Sequence, residues 1–494
     1  MQAMLGTRSY HASSCGRQTY EIINMKRIFA IYAVVSAIFV LGIGAALYLG
    51  QDLSVALPAA HPIGTTAASA WSALLQNLHD PLSRLLVQFI VIIVAARIAG
   101  KAAVRFGQPA VIGEMTAGIL LGPSLLGWLL PDAFVFVFPT ESLGVLQLFS
   151  QIGVCVFMFV VGLELDVTNL RLRAPTAVVV SHSSIMTPYL LGVLSSLLLY
   201  KTFAAPGTSF VIFALFMGIA MSITAFPVLV RILNDRGIAR TPLGATATTC
   251  AAVDDATAWV ILAFVIAMAR ASGLISAVIN LGLLIAFVVV MLAVARPTLR
   301  RLLTMDRTQG GKGPGVIATV LVFMTASALA TQAMGIHALF GAFLAGVVMP
   351  RNRTFHEYLT LRLENFATVF LLPLFFAFSG LRTQVNLLTD PASWLVLAGI
   401  ILVAVTGKLL GSMIPARLTG MSWHEAFSLG VLMNTRGLVE LIALNIGYDL
   451  GILPPRIFSM MVLMALATTF MTGPLLSLAN RVHERGAGLA AAAR

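Results

Sequence analysis

Charge is scarce in this sequence. Asp, Glu, Lys and Arg together make up 10% of its 494 residues, against roughly a quarter in soluble domains, and that scarcity excludes an ordinary water-soluble enzyme or binding module. Cysteine is nearly missing too. Cys15, Cys155 and Cys250 stand alone with no CxxC spacing, so they make neither a disulfide framework nor a metal knuckle, and the latter two, inside apolar runs, read as packing residues. Polar stretches long enough for a soluble domain are lacking between the apolar runs, and after Leu478 only a short tail is expected, with no nucleotide-binding or regulatory domain.

What is present is hydrophobic: 59% of the residues are apolar. Runs of about 20 such residues, the length that crosses a bilayer core, recur at 28–48, 82–100, 111–130, 143–163, 177–200, 210–233, 245–269, 275–295, 315–334, 337–349, 366–387, 394–415, 423–448 and 457–478. The pattern predicts an all-α polytopic membrane protein with thirteen or fourteen transmembrane helices. Its domains would be an N-terminal extension over 1–50, an Ala-, Ser- and Thr-rich extracytoplasmic linker over 51–81, a transmembrane domain over 82–480 and a cytoplasmic tail over 481–494. The extension carries a signal-anchor-like helix that follows Met25-Lys26-Arg27, an arrangement that also fits a start codon leading into a signal sequence.

The net charge of +12 would suggest nucleic acid in a soluble chain, but its distribution gives another reason. With the N-terminus in the cytoplasm, Lys26, Arg27, Arg97, Lys101, Arg105, Arg171, Arg173, Arg231, Arg236, Arg240 and the later clusters to Arg485 all lie inside. Only Arg84, Lys201, Arg270, Arg382 and Arg456 fall outside. Basic residues concentrate on cytoplasmic loops in just this way, so no nucleic-acid partner is expected, and the cell inner membrane is the expected location.

Five ionisable residues interrupt the middles of apolar spans: Asp254, Asp255, Lys408, Arg436 and Glu440; Glu114 is a sixth near a span end. At about 2.5–3.5 kcal/mol each for a charge at a helix centre, they must be paired, hydrated or neutralised. Arg436 and Glu440, four apart on one helix, can form a structural ion pair. Asp254 and Asp255 point about 100° apart on a helix, so one can hold a partner while the other binds and releases ions. Lys408 is the natural partner, since a buried lysine changes protonation state more readily than arginine. A proton and a bare cation compete for one carboxylate, and with alternating access that competition gives antiport.

Two segments predict helices broken at mid-membrane: Ser222-Ile223-Thr224-Ala225-Phe226-Pro227 and Met433-Asn434-Thr435-Arg436-Gly437. Pro and Gly there free carbonyls that can coordinate an ion or cap a facing charge. His182 and His337 stand without a second His or Cys at metal spacing and are assigned no role. Gly113 with Gly118, and Gly341 with Gly346, fit close helix packing.

At these residues the sequence resembles the monovalent cation:proton antiporter superfamily, in its second large family. The likeness spans roughly 82–478. It rests on Gly107-Gln-Pro-Ala-Val-Ile-Gly-Glu-Met-Thr-Ala-Gly, Phe159-Val-Val-Gly-Leu-Glu-Leu-Asp, the Ser222 to Pro227 segment, the Asp pair, Gly335-Ile-His-Ala-Leu-Phe-Gly and Leu372-Pro-Leu-Phe-Phe, in that order. The resemblance implies inverted repeats whose two discontinuous helices cross, and the broken spans, seven apart, have the odd offset that inverted repeats need. It implies Asp255 as the cation- and proton-binding carboxylate, Asp254 beside it, Lys408 as the ion-pair partner of Asp254, and Thr224 and Arg436 at the breaks; from their own positions Ser222, Pro227 and Thr435 are expected at the same breaks, with Glu440 and Glu114 supporting. Spans five to seven and twelve to fourteen would form the moving core.

The partners so implied are Na+ or K+, H+, membrane lipid and a second copy in a homodimer, with no cofactor. Two acids with a lysine resemble members that move more protons than cations. Unlike the potassium efflux branch, this chain has Asp rather than Gln before Asp255. The reading from another class is a membrane enzyme using the Asp pair, an intramembrane protease or a prenyl transferase. The protease needs carboxylates meeting across separate helices, and the transferase needs acids four residues on, where Ala258 and Trp259 stand. A cation channel, the third reading, has no use for a titratable buried Asp/Lys trio.

Overall fold

The first described helix already shows which side of each element meets lipid. In α1 (Pro81–Arg105), Leu82, Leu86, Ile90, Val94 and Ile98 form one exposed stripe, while Leu85, Gln88, Ile92, Ala96 and Gly100 form the buried one. A polar residue, Gln88, therefore lies on the inner face, where its amide reaches Ser142 and the Val137 carbonyl. The computed structural model describes residues 80–164, 174–270, 274–305, 314–335, 337–350 and 353–492, with a few isolated positions before residue 80. Most of the expected span 28–48, most of the linker and Cys15 lie outside the described residues.

Every regular element among the described residues is helical. After α1 come α2 (Ala110–Leu121), α3 (Thr140–Glu164), α4 (Ala174–Phe203), α5 (Phe210–Ser222), α6 (Phe226–Asp235), α7 (Pro242–Arg270) and α8 (Leu274–Val290). There follow α9 (Pro314–Ala333), α10 (Ala338–Val347), α11 (Arg353–Phe366), α12 (Leu372–Arg382), α13 (Pro391–Leu418), α14 (Trp423–Met433), α15 (Leu438–Asp449) and α16 (Pro455–Ala492). Among the described residues eleven spans are long and apolar enough to cross a membrane, and α14 with α15, bent by 41°, makes a twelfth. Together with α10 they coincide with the thirteen expected spans after the first.

One expected span is not a full crossing helix. The 337–349 run forms only α10, ten residues or about 15 Å at the helical rise. It follows Gly335, whose φ of +79° is a left-handed turn, and starts at His337, which caps Leu339 N. The tail expected from 481 instead continues α16 as helix to Ala492.

Two bundles emerge from the packing. In one, α1 packs on α2, α2 on α12, α3 on α10 and α10 on α9; in the other, α4 joins α5, α7 and α13, and α16 joins α13, α14 and α15. The second bundle contains the six spans expected to form the core. Within the first bundle the glycine pairs repeat one device. A Cβ on Gly113 would lie 2.1 Å from Ala99 O and on Gly118 2.3 Å from Phe376 O; on Gly341 it would lie 2.2 Å from Ser327 O and on Gly346 2.1 Å from Phe159 O. Thus α2 lies against α1 and α12 as α10 lies against α9 and α3, the relation expected of a duplicated half.

Four of the five basic residues on the sparsely charged side have fixed partners: Arg84 with Glu141 at 3.6 Å, Arg270 with Gly335 O, Arg382 with Asp449 and Arg456 with Asp390. Asp390 also caps α13, accepting from Ser393 N at 3.0 Å, ahead of Pro391, whose missing N–H costs nothing at a first helical position. Hydrogen bonds from Ser393, then the Arg456 guanidinium, hold the Asp390 carboxyl below the usual carboxylate range.

Candidate functional site

The first break falls where Pro227 forbids a continuous helix. Residues 223–225 run extended between α5 and α6, and Pro227 sits in the first turn of α6, where its missing N–H is harmless. The second break depends on Gly437, whose φ of +157° and ψ of −123° suit few residues with a side chain. A Cβ there would also lie 3.0 Å from Val228 Cγ2. The breaks touch directly, since Ala225 N donates to Thr435 O at 3.0 Å.

Each break supplies a donor to the last carbonyls of the opposite half-helix, groups left unpaired by a helix end. Thr224 Oγ1 lies 3.1 Å from Met433 O at the end of α14. Arg436 sends Nη1 to Ala220 O at 3.0 Å and Nη2 to Met221 O at 2.5 Å, at the end of α5. Its backbone N–H and carbonyl are both held by the Thr469 hydroxyl from α16. Glu440 lies 3.4 Å from Arg436 Nη1 as an i,i+4 ion pair, without a hydrogen bond to either carboxylate oxygen.

On α7, the two aspartates part as helical geometry requires. Asp254 is fully buried and saturated: Ser181 donates to Oδ1 at 2.5 Å, while Ser184 at 2.8 Å, Thr224 at 2.8 Å and Lys408 Nζ at 3.0 Å all reach Oδ2. Lys408 also donates to Thr224 Oγ1 at 2.6 Å. Asp255 is 1% exposed, and neither of its oxygens has a hydrogen-bond partner. It faces the Phe226 N–H at the start of α6 without reaching hydrogen-bond geometry.

Of the residues singled out in the sequence, Asp254, Lys408 and Thr224 thus meet, with Asp255 adjacent, and Arg436, Thr435 and Glu440 gather at the second break. Ser222 turns away, donating to Ile185 O and Gly218 O. Glu114, 7% exposed, lines a cavity of about 480 Å³ between the two bundles with Arg97, Glu164, Pro227, Arg231 and Glu364. Ser181 and Ser184 were missed by sequence reasoning, although Ser181-His182-Ser183-Ser184 is a polar run in an apolar span and its first and last residues share a helical face. His182 is exposed and bonds its own helix.

Two packed bundles, one of them built around crossing broken helices with a saturated and an unsaturated buried carboxylate, define the fold of an ion-coupled membrane transporter. Comparison with known proteins identifies it further. The chain belongs to the sodium/hydrogen exchanger family: the transmembrane sodium/hydrogen exchanger model matches residues 89–479. It is 44% identical over 397 residues to the Na(+)/H(+) antiporter NhaS4 of Synechocystis sp., covering 80% of this chain and 97% of that one. Identity to Cation/H(+) antiporter 19 of Arabidopsis thaliana is 37% over 82% of this chain and 51% of the plant protein. For K(+)/H(+) antiporter 1 of Saccharomyces cerevisiae it is 32%, over 81% and 47%. The chain therefore spans about half the length of the plant and yeast relatives. The sodium proton antiporter MjNhaP1 of Methanocaldococcus jannaschii shares the fold, with a TM-score of 0.59 at 13% identity over 78% of this chain and 97% of that structure. The superfamily implied by the sequence motifs is borne out, and with it a multi-pass membrane protein.

Proposed function

We propose that the protein is a secondary active antiporter that exchanges Na+ or K+ for H+ by alternating access, with Asp255 as the ion- and proton-binding carboxylate. The observation that carries this reading is the charge count of the buried site. Asp254 cancels Lys408 and Glu440 cancels Arg436, each within 3.4 Å, so Asp255 is left as the one uncompensated charge. A monovalent cation or a proton, but not both, restores neutrality, and an uncompensated charge at the membrane centre costs about 2.5–3.5 kcal/mol. The empty site is thus the costly state to carry across, which is the condition for obligatory exchange.

Asp254 serves as the anchor, held by Lys408 and three hydroxyls, and Thr224 links it to the second break. Arg436 fixes the crossing, with Thr435, Ser222 and Pro227 shaping the breaks. Glu114 in the cavity on the arginine-rich side, and Glu440 beside Arg436, support ion passage and charge balance. That cavity reaches Pro227 and Val228 on α6, the half-helix whose first residue faces Asp255, and so supports an inward-open state. The arginine distribution supports cytoplasmic termini in a bacterial inner membrane, with the 82–480 domain transporting and a homodimer formed through helices outside the core. The Asp-Asp-Lys pattern favours electrogenic exchange; a transport rate indifferent to voltage overturns that part.

The test is reconstitution in liposomes with an imposed pH gradient, recording proton release on adding Na+, K+ or Li+ in turn. Release with one cation that disappears in Asp255→Asn supports the reading and names the ion. Full activity in Asp255→Asn removes the site, and silence with all three cations removes monovalent cation exchange.

A further inference from the structure

The seam between the two bundles is open at one end and shut at the other. On the arginine-rich side it holds the cavity of about 480 Å³. Across the membrane the same seam encloses only about 30 Å³, between Ser150, His337 and Phe378 of the first bundle and Ile442, Asn445 and Asp449 of the second. What closes it is Arg382, the last residue of α12. Its Nη1 donates to Asn445 Oδ1 at 2.9 Å and its Nη2 to Asp449 Oδ1 at 2.6 Å. The guanidinium stacks 4.2 Å from the Phe378 centroid in its own bundle and 4.9 Å from Tyr448 in the other.

Both acceptors sit on α15, the second half of a broken span, and Asp449 is its last residue. Asn445 strengthens the closure by donating to Ser379 Oγ at 2.7 Å. Any sliding of the second bundle that opens this end of the seam must pull α15 off Arg382. Asp449 ends α15 at the opposite end from the break at Gly437, about 18 Å away at the helical rise, so loss of the contact need not disturb the break. Arg382 is also among the few basic residues on its side of the membrane, where positive charge is otherwise sparse.

We propose that Arg382 is a positioning residue for the exchange reaction, the bolt of the outer gate: its hold on Asn445 and Asp449 keeps the outward path closed, and its release admits ions from outside. The proposal rests on the exchange reading for its purpose, but its test does not require transport. In a variant with all three cysteines replaced, Ser150→Cys is introduced as a reporter in the closed end of the seam, where Ser150 is 1% exposed. Right-side-out vesicles are treated with a membrane-impermeant maleimide and the labelling rate is followed.

Labelling is expected to be slow with Arg382 intact and roughly tenfold faster in Arg382→Ala and Asp449→Asn, since charge-assisted bonds across the seam are lost. Exchanging the charges, Arg382→Asp with Asp449→Arg, is expected to restore slow labelling, which a loss of general packing would not. Transport gives a second readout: the apparent KM for the cation falls at the outer face and rises at the inner face. Should Arg382→Ala fold poorly, Asp449→Asn reads the same gate with the arginine in place. An unchanged labelling rate in both overturns the proposal; faster labelling in the variants of a parent that itself exchanges no cation overturns the exchange reading instead.

Discussion

Removing one charge from the Lys408 and Asp254 pair should be far worse than removing both. Lys408→Ala leaves Asp254 with its three hydroxyl donors but no counter-charge, and the buried site goes from a formal charge of −1 to −2. Breaking a buried pair from one side costs about 3–5 kcal/mol. Asp254→Asn strands the lysine in the same place at a similar cost. In Asp254→Asn with Lys408→Gln, however, an amide pair of similar size replaces the ions, the amide oxygen still accepts from the serine it faces while the other serine turns its hydroxyl to accept from the NH2, and the site returns to −1 at Asp255. Replacing a buried pair as a unit is close to neutral, so the double variant should sit within about 2 kcal/mol of the parent and the cycle should show a coupling of several kcal/mol.

Thermal unfolding of the purified protein in detergent gives the stability cycle, and liposome flux gives the activity. The double variant should still exchange cations for protons, whereas Lys408→Ala should not. A coupling under about 0.5 kcal/mol, the level expected for independent sites, would refute the pairing as the dominant energy. A stable double variant without exchange would refute the charge count, because Lys408 would then be taking part in the ion cycle itself.

Three further outcomes follow from the geometry. Arg436→Ala leaves two helix-end carbonyls and Glu440 unmet and should destabilise by about 3–5 kcal/mol, while Thr224→Val, losing neutral hydroxyl contacts, should cost about 1–3 kcal/mol and act mainly on cation KM; equal unfolding temperatures for the two would contradict this ranking. Gly113→Ala and Gly341→Ala each drive a methyl into a facing carbonyl and should lower stability by similar amounts, about 1–3 kcal/mol; a loss at one position alone would argue against a duplicated packing device. Because the Asp390 carboxyl is held below its ordinary value, its contribution is present above the unfolded value of about 3.9 and lost as pH falls through the folded one. The gap in apparent Tm between parent and Asp390→Asn should therefore be constant from about pH 8 to 5 and narrow only below about pH 4, and a gap that does not change with pH through the acid range would show the carboxylate's charge to be idle.

The site was legible where burial of a charge left no alternative. An Asp pair and a lysine in apolar spans can only be explained by each other, and Lys408 Nζ does lie 3.0 Å from Asp254. Pro227 and Gly437 announced the breaks because each forbids the regular backbone. Ser181 and Ser184 were not legible in the same way, since a hydroxyl in a membrane helix can bond its own preceding turn, as Ser195 and Ser196 do, so its presence implies no distant partner. Arg436 shows the same limit from the other direction. Its sequence neighbour Glu440 suggested an i,i+4 pair, yet its hydrogen bonds go to carbonyls 215 and 216 residues away, and backbone acceptors leave no trace in a sequence. The shortness of α10 was hidden because an apolar run does not reveal where a left-handed glycine starts it.

The two breaks use one device with different chemistry, and that difference supports the proposed ion site at the first. Thr224 and Arg436 each meet the carbonyls that end the other half-helix, so either donor could in principle be replaced by its counterpart. A hydroxyl, however, has one proton and can also accept: Thr224 stands between Met433 O, Asp254 and Lys408 and can redistribute its bonds as charge at the aspartates changes. A guanidinium keeps its charge and its fork of donors whatever its neighbours do. The first break is therefore the responsive one and the second the fixed one. On the proposed reading the exchanging carboxylate belongs on α7, beside Thr224, while the helix packed against the second break, α16, presents the Thr468 carbonyl and the Thr469 hydroxyl, neutral groups that hold Asn434 and the Arg436 backbone still. A residue other than Ser or Thr at 469 would lose the hydroxyl that holds the Arg436 backbone, and a carboxylate beside the guanidinium, as Glu440 is, stands against a charge that cannot give up its proton; on the proposed reading only the Thr224 side leaves a buried carboxylate free to exchange what it binds.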